Sequence, residues 1–181
     1  MTRRSEDAME LRFLLPELRR MDEPTVELCA CTIWSDERPL RGFAGLLDWR
    51  MGARLSAMLE SGFMTGEAGE ALLVPGKPHV PFEKVLLLGL GTRSGFGDGG
   101  FRRAVLHIAR ALEGLRVRRA VVELPGRGAG VIDPEQAITL TLECVGASPE
   151  HDAWWLVEDA ASQKRVEQRA ADERRRVRVP G

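Results

Sequence analysis

The sequence contains no asparagine and no tyrosine. A site built from this chain therefore has neither the Asn amide as a ligand nor a phenol as acid or base. Lysine is scarce as well: of 26 basic residues, all but Lys77, Lys84 and Lys164 are arginine. An excess of either charge is missing, since 26 Lys and Arg face 27 Asp and Glu, for a net charge of −1. That balance argues against a chain coated in positive charge for nucleic acid. Three cysteines do not make a disulfide framework, and Cys29 and Cys31 lie too close on one apparent strand to bridge each other comfortably. No stretch approaches the roughly 18 apolar residues of a membrane helix. The charged start, Met1 to Asp7, leads into an apolar run broken by Arg12, Pro16, Arg19 and Arg20, which is not a signal peptide. The expectation is a soluble cytoplasmic protein with no membrane contact.

What is present is enough for one domain: 181 residues, 44% of them apolar. Residues 10–15 read as a short strand stopped by Pro16. Residues 26–34 read as a second strand, apolar on both faces and so covered on both sides. Phe43, Leu46, Leu47, Met51, Leu55, Met58 and Leu59 recur at helical spacing, with Gly52 dividing the stretch. Strands follow at 70–74 and at 84–91, where Lys84-Val-Leu-Leu-Leu-Gly-Leu-Gly91 is the strongest apolar run in the chain. A glycine-rich loop, 91–100, leads to a helix over 101–115 and a strand at 119–124. A second such loop, 125–130, precedes a helix that Pro134 begins. A strand at 153–157 and a charged helix at 158–176 complete the pattern. Alternating strands and helices predict an α/β three-layer sandwich with a mixed, mostly parallel sheet. The expected organisation is a flexible N-terminus at 1–9, a domain at 10–157, and a charged terminal helix and tail at 158–181.

Two glycine clusters are the candidate ligand sites. Gly95-Phe-Gly97-Asp-Gly-Gly100 has the spacing G-x-G-x-x-G, opens a helix after a strand, and is joined by Gly91; Glu123 ends the next strand roughly where a ribose-binding acid stands. The set lies several residues downstream of the strand end, however, and Asp98 in its middle would repel phosphate. A connecting loop is favoured over a nucleotide cradle. Gly126, Arg127 and Gly128 suggest a second anion-binding nest. Asp133 there is better read as a helix N-cap, with Gln136 completing a capping box. His79, His107 and His151 stand at no metal-ligand spacing, so no metal and no cofactor are expected. No Ser, Cys or Lys reads as an activated nucleophile.

From Lys164 onward, seven basic residues stand against Glu167, Asp172 and Glu173. Such a tail allows weak phosphate contact, although a solvated helix end explains it more simply. Trp154 and Trp155 adjoin it on a strand and point to opposite faces. Tryptophan and arginine are enriched at binding hot spots. Trp154 or Trp155, with Arg165 and Arg169, is therefore the expected contact with a protein partner or a second copy.

Four stretches carry a family resemblance. They are residues 26–34; Leu47-Asp-Trp49 through Leu59-Glu-Ser-Gly-Phe63 and Thr65-Gly-Glu-Ala-Gly-Glu-Ala-Leu-Leu-Val-Pro75; Lys84 to Gly91; and Phe101 through Val121-Val-Glu-Leu-Pro125. Over roughly 10–147 the chain resembles the N-terminal, non-catalytic domain of the leucyl aminopeptidase family, peptidase family M17. The resemblance implies a macro-domain-like fold. It also implies that catalysis belongs elsewhere, because the two metal ions of these hexameric enzymes sit in a separate domain. The hallmark Asn-Thr-Asp-Ala-Glu-Gly-Arg-Leu segment of that domain is not among these residues, so no catalytic residue carries over. The favoured expectation is a non-enzymatic domain that works by protein contact in assembly or regulation. The alternatives are a macro-like module for a nucleotide or ADP-ribose-type ligand, and a nucleic-acid accessory protein using the arginine tail.

Overall fold

A computed structural model of the chain describes residues 9–178. Its six strands are β1 (Glu10–Leu14), β2 (Leu28–Ile33), β3 (Ala71–Pro75), β4 (Lys84–Gly89), β5 (Arg119–Val122) and β6 (Ala153–Val157). They form one sheet in the order β1-β6-β5-β2-β4-β3, parallel throughout except for β3, which runs antiparallel to β4. The five helices are α1 (Gly42–Arg50), α2 (Arg54–Glu60), α3 (Asp98–Gly114), α4 (Pro134–Val145) and α5 (Ala160–Arg178).

Side-chain alternation along the strands divides the interior in two. Leu28 and Ala30 of β2, Leu86 and Leu88 of β4, and Trp154 and Leu156 of β6 meet α3, α4 and α5 on one face. Cys29, Cys31 and Ile33, with Val85, Leu87, Val121 and Trp155, meet α1, α2 and the turn at Met21 on the other. The result is the expected three-layer α/β sandwich with a mixed, mostly parallel sheet. All six residues of β2 are buried. Burial also pushes the Cys29 and Cys31 thiols well up, which keeps them protonated and unreactive.

Gly52 divides the first helical stretch as expected. Gly52 and Ala53 both take positive φ, at 65° and 63°. The Asp48 carboxylate of α1 accepts from the backbone N–H of Leu55 at 2.9 Å and of Ser56 at 3.0 Å, capping α2 across the turn. Three expectations need correction. Helix α3 begins at Asp98 and not near 101, so Gly99 and Gly100 belong to its first turn. Helix α5 begins at Ala160, because Asp159 accepts from the N–H of Ala161 and of Ser162. The capping box at α4 does not form: Asp133 caps Glu135 N at 2.9 Å, but Gln136 Nε2 donates instead to Asp98 Oδ1 at 2.6 Å. The expected flexible start lies, apart from Met9, outside the described residues, as does the tail beyond 178. No helix among the described residues is long and apolar enough to cross a membrane.

The two tryptophans do point to opposite faces, but neither is presented at the surface. Trp154 is fully buried among the residues that meet Val166 and Ala170 of α5. Trp155 is 8% exposed, with the guanidinium of Arg12 4.7 Å and that of Arg119 5.2 Å from its ring centre. As hot-spot candidates they are corrected here to core residues. Trp154→Ala is expected to cost about 3–5 kcal/mol in urea unfolding, the usual range for deleting a buried aromatic ring.

Candidate functional site: the glycine crest and the groove beside α3

In an open α/β sheet, ligands favour the crevice at the carboxyl ends of the strands, where successive connections leave for opposite faces. Here that crevice lies between β2, which leads to α1, and β5, which leads to α4. It is filled by the protein itself. The Phe96 ring meets Trp34 edge to face, with centroids 5.1 Å apart. Both glycine clusters close on the same ring. A Cβ at Gly100 would stand 3.2 Å from it, and one at Gly126 2.9 Å from it, where φ is also +78°. The glycines give room to an aromatic side chain, not to a pyrophosphate.

Glu123, at the end of β5, occupies the rest of the crevice and is 4% exposed. Its carboxylate accepts from Thr32 N and Thr32 Oγ1, each at 3.1 Å, and faces the backbone N–H of Phe43. Gly128 presses against it so closely that any Cβ there would collide with Oε1. Burial raises its pKa to about 7, against the opposing pull of the Thr32 and Phe43 donors. Glu123 is thus turned inward and is not a ribose ligand. Arg127 is also committed. Its Nε and Nη2 meet Glu158 at 2.8 and 2.7 Å, Nη1 donates to Ile132 O at 2.7 Å, and Nη2 reaches Ser162 Oγ at 3.2 Å. With every face of its guanidinium engaged, Arg127 leaves nothing for an anion.

The open space lies on the far side of α3. A groove of about 1010 Å3 runs between that helix and the turn at Glu67, Ala68 and Gly69. Leu88, Leu90, Ala104 and Ala111 are among the apolar residues that line it, and Gly91, Thr92, Gly95, Phe96 and Gly100 stand at its upper end. Arg103, His107 and Arg110 follow one another at four and three residues, on one face of the helix, and line its wall. The two arginines are about 10 Å apart along the axis, from the 1.5 Å rise per residue. Neighbouring Arg102 is paired with Glu143, whereas among the described residues Arg103 and Arg110 have no ion-pair partner.

Of the expected ligand-binding residues, Gly91, Gly95 and Gly100 therefore line the groove. Gly97 precedes α3 as its N-cap, and Gly126, Arg127 and Gly128 lie behind Phe96 and around Glu123. The expected partner-contact arginines are tied within the fold. Arg165 bridges Asp133 and Glu135 at 2.8 Å each, and Arg169 bonds Thr139 Oγ1 at 2.9 Å and Glu173 at 2.7 Å. Neither Arg103 nor Arg110 stands out in the sequence, and His107 does so only as a histidine at no metal-ligand spacing; the signal all three share is their spacing on an amphipathic helix. Among the described residues, no group of three or more His, Cys, Asp or Glu is placed to hold a metal ion.

Comparison with known proteins places this architecture. The family model described as cytosol aminopeptidase family, N-terminal domain, matches residues 31–145. A probable cytosol aminopeptidase of Acidithiobacillus ferrooxidans is 42% identical over 81 residues, which are 45% of this chain and 16% of that protein. One of Halorhodospira halophila is 35% identical over 114 residues, 60% of this chain and 23% of that protein. The chain thus spans less than a quarter of either relative. Among solved structures, the Oceanobacillus iheyensis macrodomain with MES bound superposes with a TM-score of 0.71 over 96% of both chains, at 10% identity, a likeness of fold alone.

The buried carboxylate generates a pH test. Because the folded pKa of Glu123 is raised from 4.5 to about 7, the folded state holds its proton more tightly than the unfolded state. Stability from this group is full below about pH 4.5 and is lost as pH rises towards 7, by about 3 kcal/mol at most. His151, whose pKa burial lowers from 6.5, acts in the opposite sense below that value. The difference between wild type and Glu123→Gln isolates the carboxylate. In urea melts from pH 5 to 8, wild type is expected to lose stability relative to the variant as pH rises. A constant difference would contradict the assignment.

Proposed function

This chain belongs to the cytosol aminopeptidase family through that family's N-terminal domain, and on this footing we propose that it acts by binding another protein and not by hydrolysis. The observation that carries the reading is the α3 groove: an apolar floor beneath Arg103, His107 and Arg110, open to solvent within the segment that the family model matches. An apolar floor gains from burying apolar side chains, and two guanidinium groups with no ion-pair partner among the described residues select a partner with carboxylates on the same segment. The partner of best fit is an acidic segment with one apolar face, its acids about 10 Å apart to match the two arginines.

The nucleotide reading has less support. Phe96 and Glu123 occupy the crevice where such a ligand would enter, and Asp98 stands in the first turn of α3. The nucleic-acid reading has less again: Arg165 and Arg169 are held by Asp133, Glu135 and Glu173, and Arg174 donates to the Met9 carbonyl. The exposed Arg175 and Arg176 of the described tail support weak phosphate contact.

Affinity capture from the native cell should recover a partner that Arg103→Glu with Arg110→Glu loses by tenfold or more, a drop of about 1.4 kcal/mol or greater. Recovery that the double reversal leaves unchanged would remove the groove from the account. The chain as given should turn over no leucyl substrate with added zinc or manganese, and a calorimetric titration with ADP-ribose should give no saturable heat.

A further inference from the structure

The sheet has two edges, and they differ in chemistry. On β1, Glu10 and Arg12 put charge along the strand and pair with each other at 2.9 Å. On β3 the five residues are Ala71-Leu-Leu-Val-Pro75, with no charge among them. Ala71, Leu73 and Pro75 are exposed, Leu73 at 41%. Gly89 N donates to Glu70 O at 2.7 Å and Gly76 N to Glu83 O at 2.9 Å. Even-numbered residues of this strand therefore bond to β4, and Ala71 and Leu73 direct both N–H and C=O away from the sheet. Pro75 has no N–H and adds one further outward carbonyl. Natural edges of this kind are blunted by charge or are paired. Among the described residues, Pro75 and the short length of β3 are the features that blunt it.

We propose that β3 pairs with β3 of a second copy, antiparallel about a two-fold axis, so that the two sheets become one. Each chain offers two outward donors, on Ala71 and Leu73, and three outward acceptors, so every donor of the pair finds a carbonyl. The flanking charges favour the antiparallel sense. Glu67 and Glu70 precede the strand, whereas Lys77, which follows it, is paired with Glu83 at 2.9 Å, so the acidic end of one copy lies beside the charge-balanced end of the other. A parallel pairing would set like against like. Leu73 of each chain gains cover from the other, and the charged β1 edge offers no continuation, which closes the assembly at two. Arg103 and Arg110 take no part, so failure here leaves the acidic-partner reading untouched.

Light scattering at about 0.5 mM, a concentration that populates even a weak pair, should report twice the 20.0 kDa chain mass. Leu73→Lys and, separately, Ala71→Lys should return the protein to the single-chain mass, with melting temperatures within a few degrees of wild type. Amide exchange at Ala71 and Leu73 of the wild type should slow with increasing concentration, because those N–H groups are free only in the single chain. A wild type that stays at the single-chain mass overturns the proposal, whether or not it captures a strand from another protein. So does a doubled mass in both variants. Should either variant fail to fold, exchange in the wild type decides: fast exchange of Ala71 and Leu73 in a doubled species places the contact elsewhere.

Discussion

Strand β2 exists only if both of its faces are kept from water. Six consecutive residues, Leu28–Ile33, are buried, and the strand is bonded to β4 on one side and β5 on the other. A strand of that kind requires a helical layer above and another below. The remainder of the architecture supplies them: α1 and α2 on one face, α3, α4 and α5 on the other. The same requirement creates the crest. Where β2 ends, the chain must leave for one face while β5 leaves for the other, and a crevice opens between them. Trp34, Phe96 and the Glu123 carboxyl fill it.

Arginine serves this chain in a way lysine could not. Arg38 donates to the carbonyls of Trp34 and Thr65, Arg118 to the Pro149 carbonyl and the Asp152 carboxylate, and Arg127 to the Ile132 carbonyl and Glu158. A planar fork with five donors can hold a loop carbonyl and an acid together, whereas an ammonium behaves as a point charge. The Arg127–Glu158 pair is nearly dry, at 9% and 3% side-chain exposure. Such a pair adds little over apolar packing, but removal of one member leaves a buried charge without a partner. It therefore fixes the second glycine loop against the start of α5.

With the crest closed and most arginines committed, two surface features stand out besides the exposed rings of Trp49 and Phe63. Among the described residues, the α3 groove combines an apolar floor with unpaired cations, and the β3 edge combines apolar side chains with unpaired backbone groups. Both lie beside β4. The turn at Glu67 borders the groove and precedes the strand.

Much of this was legible in the sequence for simple reasons. Period-two alternation and continuous apolar runs located every strand, Pro134 and Asp133 marked the start of α4, and the ordered segments from Val26 to Pro125 identified the family. These are local signals, set by backbone sterics and by which face of an element must be buried. The fate of the glycines, arginines and tryptophans was not local. Whether Gly126 faces a phosphate or the Phe96 ring depends on a side chain thirty residues away, and whether Arg127 is free depends on Glu158 arriving from β6. Trp154 reads as a hot spot until Val166 and Ala170 of α5 pack on the same face. Sequence alone determined the elements, their layering and the family; tertiary structure alone decided which chemically rich residues were consumed by packing and which were left facing solvent, because desolvation and pairing are properties of what surrounds a group in space.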